Sequence, residues 1–299
     1  MIDLHTHTSY SDGDYSPSDL VELAFKKGVK VISITDHDTV GAFKSNIIKL
    51  AGDYGMLLIP GIEFSTIDEV SGQKIHVVGL NIDVNDVNLN SICDQLYDSR
   101  LNYLHRVDKK LADLGIKLRS HNIINSASTI TKSHISRDVI TNPANENILI
   151  AKYGFVPMYS VFIGDYLAKG KPAFVKDDTE FHTKSAVDVI KQAGGKAICA
   201  HPSFNVLRGF SFDSMQQLIL RNGFDGIETV NIQYDKKSND SRFDMVAEFT
   251  EFAENNRLLS SGGSDFHGDN KIIYGEHSDL GLTNELYDIS MKQLERIMQ

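Results

Sequence analysis

The residues MIDLHTHTSYSDG (1–13) open the chain with the alternating pattern of a β-strand. Successive side chains of a strand point to opposite faces, so Asp3, His5 and His7 are predicted to share one face while apolar residues take the other. A packed core does not require a row of ionisable groups, because burying them is costly unless each finds a partner. The pattern therefore predicts a strand whose polar face serves a functional site.

Composition and charge indicate a globular, soluble protein. The chain has 299 residues, of which 41% are hydrophobic, enough for one large α/β domain or a barrel with an insert. The formal net charge of −10 argues against partners such as double-stranded DNA or anionic membranes. We find no signal-peptide layout and no apolar run near the roughly 20 residues that span a bilayer. Cys93 and Cys199 lack CxxC spacing, which predicts reduced thiols and a cytoplasmic location.

Short apolar runs alternate with helical stretches along most of the chain, which favours a parallel sheet. Together with the first strand, the runs give seven predicted strands. This number suits a closed or nearly closed (β/α) barrel better than an open doubly wound sheet. The other six runs are VKVISITDHD (29–38), MLLIPGIE (56–63), KIHVVGLNI (74–82), KAICAHP (196–202), FDGIETVN (224–231) and RLLSSGGSDFH (257–267).

One long segment, residues 88–170, interrupts this alternation. It is helical and polar in pattern, and its first helix repeats apolar residues at a spacing that favours packing by one face. The predicted organisation is therefore a barrel formed by residues 1–87 and 171–299, with an inserted, mainly helical subdomain over 88–170.

Nearly every predicted strand carries or ends in a potential metal ligand. In a parallel barrel the carboxyl ends of the strands meet at one face, where active sites are built. A set of imidazoles and carboxylates without thiolates suits zinc, manganese or iron. Because a single ion needs about four ligands, the number of candidates in this chain predicts two or three ions. The candidates are His5, His7, Asp12, Asp36, His37, Asp38, Glu63, His76, His201, Asp265 and His267.

Simpler explanations remain for some of these residues. A lone histidine within a strand, such as His76, is commonly a core residue. A group such as Asp12, His37 and His267 could be a hydrogen-bonded loop cluster. Asp3 and Asp36 are predicted to act as acceptors that orient a ligating imidazole rather than to bind metal themselves.

Six motifs in order carry a family resemblance: HTHTSYSDG, ITDHDTVGAF, PGIEFS, SHISR, AICAHP and SGGSDFHG. They resemble the PHP (polymerase and histidinol phosphatase) family of metal-dependent phosphoesterases. The resemblance implies a distorted (β/α)7 barrel with a trinuclear metal site. The three ligand sets it implies are His5, His7, Glu63 and Asp265 for one ion, Glu63, His76 and His134 for a second, and Asp12, His37 and His267 for a third.

The resemblance also assigns roles to residues in and after the insert. Inserts of this kind are similar to those of the branch that acts on small nucleotide phosphates, where the insert covers the barrel mouth. Arg137 and Lys176 are then candidate phosphate contacts. Where that branch usually has arginine and proline before the histidine, this chain has Lys132 and Ser133. Because lysine cannot form the bidentate fork of arginine, phosphate clamping is expected to differ here.

The expected reaction is hydrolysis of a small phosphomonoester, in which a metal-bridging hydroxide attacks phosphorus. His201 either binds the phosphate or protonates the leaving alcohol, and Asp265 is counted as catalytic as well as a metal ligand. The resemblance points to the 3′-phosphate of nucleoside 3′,5′-bisphosphates. The alternatives are 5′–3′ exoribonuclease action on short RNA, opening of a cyclic phosphodiester, and a non-catalytic metal-binding module. A GxSxG elbow and a GxxxxGK[ST] loop are both absent from the sequence.

Overall fold

The structure, a computed structural model, forms two compact units. One comprises Met1–Ile92 and Phe181–Gln299, and the other comprises Cys93–Glu180. The chain is described over residues 1–176, 180–231, 233–235, 241–243, 245–268, 279–281 and 291–299.

The first unit is built on one sheet of seven strands, which neighbour one another in the order in which they occur along the chain. The predicted seven-stranded α/β barrel is therefore confirmed. Its apolar face carries residues such as Leu4 and Ile198, which lie together in a buried cluster. The strands are β1 (Ile2–Thr6), β2 (Val31–Ile34), β3 (Leu57–Ile67), β4 (Lys74–Leu80), β5 (Lys196–Cys199), β6 (Gly226–Val230) and β9 (Leu259–Gly262), and a separate ribbon pairs β7 (Gln233–Asp235) with β8 (Ser241–Phe243).

The expectation of a parallel sheet is wrong at β4, which is antiparallel to both β3 and β5. The physical reason is the connection from β3 to β4: residues 68–73 are too few for a crossover helix, so the chain can only turn back as a hairpin. The reversal matters for the site. It brings the beginning of β4, with His76 paired to Ser65 in register, beside the far end of β3.

The sheet closes where the segment after β9 lies along β1. The backbone N–H of Asp265 donates to the His5 carbonyl at 2.9 Å, and the N–H of His7 donates to the Phe266 carbonyl at 2.9 Å. Gly263 makes this closure possible, because a Cβ at that position would overlap the backbone of His5. Ligand candidates from the two ends of the chain are thereby brought side by side.

Helices of the first unit cover the sheet. Ser16 caps the first of them: its hydroxyl accepts from the backbone N–H of Asp19 at 3.2 Å, and Pro17 occupies the first turn. These helices are α1 (Pro17–Lys26), α2 (Ile47–Asp53), α8 (Thr183–Gln192), α9 (Pro202–Leu207), α10 (Phe212–Asn222), α11 (Val246–Asn255) and α12 (Met291–Met298), with a 3₁₀ turn at Gly41–Lys44.

The second unit is helical and has a core of its own. Leu104, Val107, Ile135 and Phe162 are fully buried in one apolar cluster. The helices are α3 (Val87–Asp113, which begins in the first unit), α4 (Ser120–Ser126), α5 (Lys132–Thr141), α6 (Glu146–Tyr153) and α7 (Tyr159–Phe162), with a 3₁₀ turn at Pro143–Asn145 and a π-helical turn at Ile163–Leu167. Within the described ranges, we find no helix long and apolar enough to cross a membrane.

Candidate metal centre

Imidazole and carboxylate groups from distant parts of the chain converge in three overlapping groups at one edge of the sheet. Within each group, one ligand atom per residue lies within 4.8 Å of all the others. Glu63, His7 and His37 each belong to two groups. The groups are His5, His7, Glu63 and Asp265; His7, Asp12, His37 and His267; and His37, Glu63 and His76.

Glu63, on β3, lies at the centre of the cluster and is 1% exposed. Each of its two oxygens faces more than one imidazole. Its Oε1 lies 2.9 Å from His76 Nδ1, 3.1 Å from His201 Nε2 and 3.4 Å from His5 Nε2, and its Oε2 lies 2.9 Å from His37 Nδ1 and 3.3 Å from His7 Nε2. A carboxylate shared in this way can bridge two cations.

The spacing of the donor atoms fits divalent cations. Bonds of about 2.0–2.1 Å to a tetrahedral ion place neighbouring ligand atoms roughly 3.3 Å apart. His5 Nε2 and His7 Nε2 lie 3.1 Å apart, and Asp265 Oδ1 lies 3.4 Å from the first and 3.2 Å from the second. Glu63 Oε2 and His37 Nδ1 are buried and face each other at 2.9 Å without forming a hydrogen bond. The donor set therefore fits zinc, manganese or iron.

Charges within the cluster shift its pKa values in opposing directions. Burial opposes ionisation of Glu63. The electrostatic attraction of His5, His76 and His37 outweighs this effect and holds the Glu63 pKa well below its usual value. Burial also opposes protonation of His37, but Glu63 and Asp12 raise its pKa to about 9. His7 differs, because burial and the neighbouring His37 charge lower its pKa to about 4. Without metal, the cluster therefore holds protons at neutral pH.

Metal binding to the metal-free protein is expected to release protons at pH 7.5. A ligating imidazole must be neutral, and His37, with a pKa of about 9, is protonated at that pH. His7, with a pKa of about 4, is already neutral and releases none. Affinity should therefore rise with pH up to about 9. Calorimetric titration of Mn²⁺ in two buffers of different ionisation enthalpy measures the protons released, and equal heats in both buffers would contradict this expectation.

The predicted orienting carboxylates lie around the cluster. Asp3 is buried and accepts from Ser264 N at 2.9 Å, Ser264 Oγ at 2.7 Å and Gly281 N at 2.9 Å. The two bonds from Ser264 hold the segment that leads into Asp265, and burial raises the Asp3 pKa to about 6. Asp3 thus contacts the backbone beside a ligand rather than an imidazole ring.

Asp36 reaches the cluster through a hydroxyl group. It accepts from Thr8 N at 2.7 Å and from the hydroxyls of Thr8 and Ser11 at 2.6 Å each. The Ser11 hydroxyl in turn lies 3.4 Å from His7 Nδ1. Burial raises the Asp36 pKa. These contacts fix the turn after β1, and with it the ring of His7.

Glu228, on β6, is a site residue that the sequence reasoning missed. Its side chain is buried, and its Oε1 lies 3.0 Å from His5 Nδ1, an arrangement that turns the other ring nitrogen toward the cluster. Its Oε2 accepts from the backbone N–H of His201 at 2.7 Å. His201 has a left-handed backbone with φ of 30°, which needs such support. The available signal was an acidic residue inside the apolar run GIETV (226–230).

Replacing Glu228 with alanine is expected to weaken metal binding by about 10- to 100-fold, the usual effect of removing the acceptor behind a ligating histidine. Bound manganese is measured by equilibrium dialysis and mass spectrometry. The control is Glu251→Ala, which removes an exposed carboxylate on α11. Equal metal affinity in both variants would show that Glu228 does not orient His5.

The insert residues assigned to the site lie in the second unit. His134 and Arg137 are on α5, three residues apart and so on the same side of the helix. His134 Nδ1 accepts from the backbone N–H of Thr131 at 3.1 Å as part of a capping box. Lys176 is exposed, and its Nζ lies 3.9 Å from Glu180 Oε1. Metal binding by His134 and phosphate binding by Arg137 and Lys176 stay predictions.

The chain is similar in sequence to known proteins. The PHP domain model matches residues 3–256. A 5′-3′ exoribonuclease from Haemophilus influenzae is 31% identical over 268 residues, which cover 89% of each chain. A 3′,5′-nucleoside bisphosphate phosphatase from Chromobacterium violaceum is 27% identical over 269 residues, 89% of this chain and 87% of that protein.

A solved structure has a similar fold. An amidohydrolase from Chromobacterium violaceum superposes with a TM-score of 0.72 at 26% identity, over 94% of this chain and 92% of that one. The family match covers most of the chain, including the strands that carry Glu63 and Glu228. The chain therefore belongs to the PHP domain family of metal-dependent phosphoesterases.

Proposed function

We propose that this protein removes the 3′-phosphate of nucleoside 3′,5′-bisphosphates. The observation that carries the proposal is the sharing of Glu63 between two groups of metal-ligand atoms, an arrangement suited to neighbouring cations. Cations held there would supply an activated water and neutralise the phosphate oxygens. A small substrate is favoured because the ligands are deeply buried: only His37 and His76 have side chains more than a tenth exposed, at 12% and 30%.

His201 is the proposed phosphate contact or proton donor. Its Nε2 lies 3.1 Å from Glu63 Oε1, and Glu228 supports its backbone. Burial opposes its protonation, but the hydrogen bond to Glu63 and the nearby carboxylates raise its pKa. A protonated imidazole beside the cluster can donate to a phosphate oxygen or to the departing 3′ oxygen. Asp265 Oδ1 lies 3.4 Å from His5 Nε2 and 3.2 Å from His7 Nε2, and it completes their ligand group.

A second candidate is stepwise removal of nucleotides from the 5′ end of short RNA. The relative from Haemophilus influenzae, at 31% identity, is named for this activity. The chemistry is closely related, since in both reactions phosphorus is attacked and a ribose 3′ oxygen departs. The same cluster can therefore serve either substrate. The width of the opening that leads to the cluster decides which of the two substrates is cleaved.

The test is phosphate and nucleotide release by metal-loaded protein. Substrates are adenosine 3′,5′-bisphosphate, a 5′-phosphorylated trinucleotide and a cyclic phosphodiester. The proposal expects the highest kcat/KM on the bisphosphate. A higher value on the trinucleotide favours the exoribonuclease, and a higher value on the cyclic ester favours a cyclic phosphodiesterase. Full metal occupancy without turnover of any of them would overturn the enzymatic proposal and favour a metal-binding module.

A further inference from the structure

We propose that Arg208, stacked on Phe204, binds a second phosphate of the substrate, namely the 5′-phosphate of the nucleotide whose 3′ ester is cleaved. The inference rests on the proposed function and specifies which end of the nucleotide is recognised. It assigns a binding role to a residue that none of the ligand groups includes.

A short stack of side chains connects Arg208 to the metal-ligand cluster. The Phe204 ring meets the His201 ring edge to face, with centroids 5.7 Å apart. The guanidinium carbon of Arg208 lies 3.9 Å from the centre of the Phe204 ring. Two steps therefore separate His201 from the guanidinium, which lies within about 10 Å of the imidazole, near enough for two phosphates of one nucleotide to span.

Arg208 is a cation without a carboxylate partner in the part of the chain that the structure describes. Other arginines pair with acids: Arg221 with Asp68, and Arg119 with Asp138. Arg208 is an exposed residue, and partial desolvation of its guanidinium lowers its pKa. Stacking holds the guanidinium plane against a ring but leaves the N–H groups at its edge available. A planar fork of this kind is suited to a phosphate.

A second phosphate needs a cation of its own, because ions held by Asp12, Glu63 and Asp265 would serve the phosphate that is cleaved. A dianionic group further along the same nucleotide lies away from those ions, and a separate positive charge stabilises it. Arg208 supplies that charge.

The same subsite serves both candidate substrates. A nucleoside 3′,5′-bisphosphate carries a 5′-phosphate on the ribose whose 3′ oxygen departs. The first nucleotide of a 5′-phosphorylated RNA carries that group in the same place. One arginine can therefore recognise either substrate. The preference for substrates that carry a 5′-phosphate tests the role of Arg208 with the bisphosphate and with RNA alike.

The test compares Arg208→Gln with the unaltered protein on two matched substrates, adenosine 3′,5′-bisphosphate and adenosine 3′-monophosphate. We expect kcat/KM on the bisphosphate to fall by about 10- to 100-fold, chiefly through KM, with less than about a twofold change on the monophosphate. Arg208→Lys should recover part of the loss, since it keeps the charge but not the fork. Lys26→Gln, at an exposed position on α1, controls for loss of one positive charge.

Two further arms separate the possible outcomes. Adenosine 5′-monophosphate should bind the protein more weakly after Arg208→Gln, as measured by calorimetry, and a 5′-phosphorylated trinucleotide should lose more turnover than its 5′-hydroxyl form. Equal losses on substrates with and without the 5′-phosphate, or no loss at all, would overturn the Arg208 assignment while leaving the proposed function intact. Failure of the unaltered protein to cleave any substrate would instead overturn the proposed function.

Discussion

Glu63→Gln is expected to lower turnover by about four orders of magnitude and to remove most of the bound metal. The Glu63 oxygens face five imidazoles, so no other side chain of the cluster can take over its contacts. An amide keeps the shape of the group but offers one acceptor oxygen and no charge. Each cation contributes several kcal/mol to charge stabilisation, and loss of the shared ligand weakens two ions together.

The same change should also destabilise the metal-free protein. The Glu63 charge holds the pKa of His37 near 9, so its removal leaves a buried positive charge without its main partner. Glu69→Gln is the matched control, because Glu69 is an exposed glutamate near the end of the same strand. The measurements are kcat, metal content and urea unfolding without metal. Full metal content in the Glu63→Gln variant would contradict the central role of this residue.

His7→Ala is expected to lower turnover by about a thousandfold while the protein stays folded. His7 belongs to two of the three ligand groups and stacks on His267, with ring centroids 4.0 Å apart. Its pKa of about 4 makes it neutral at pH 7, so removing the ring leaves no charge unpaired. The expected cost in stability is that of a cavity, roughly 3 kcal/mol.

The control for His7→Ala is His105→Ala, on an exposed position of α3. The readouts are kcat, bound manganese and the circular dichroism melting curve. A near-normal rate in the His7 variant, or loss of the folded signal with no change in metal content, would contradict the assignment of His7 as a ligand.

Much of the first unit could be predicted because its strands carry short-range signals. The two-residue alternation around His5 and His7 predicts one polar face, and the structure places their Nε2 atoms 3.1 Å apart. The number of strands follows from the same apolar runs. Strand direction does not follow from periodicity, since a run of alternating residues reads the same in either direction. The short connection at 68–73 was the available evidence that β4 turns back.

The rest of the site depends on long-range packing that a single sequence does not specify. Glu228 lies 223 residues from the His5 ring that it contacts, and nothing near either residue predicts the pairing. Phe204 and Arg208 lie only four residues apart, so their stack is a local contact, but it depends on side-chain directions that residue order does not specify. His134 was assigned by resemblance alone, because an imidazole in a helix of the insert carries no local signal for metal binding.

The most direct test of the account is an anomalous diffraction map of a crystal grown with Mn²⁺. The account predicts at least two peaks that share Glu63 as a ligand, one within about 2.3 Å of His5 Nε2 and His7 Nε2 and another bound by His37. A map with no peak at this cluster, or with Glu63 outside bonding distance of every ion, would contradict it.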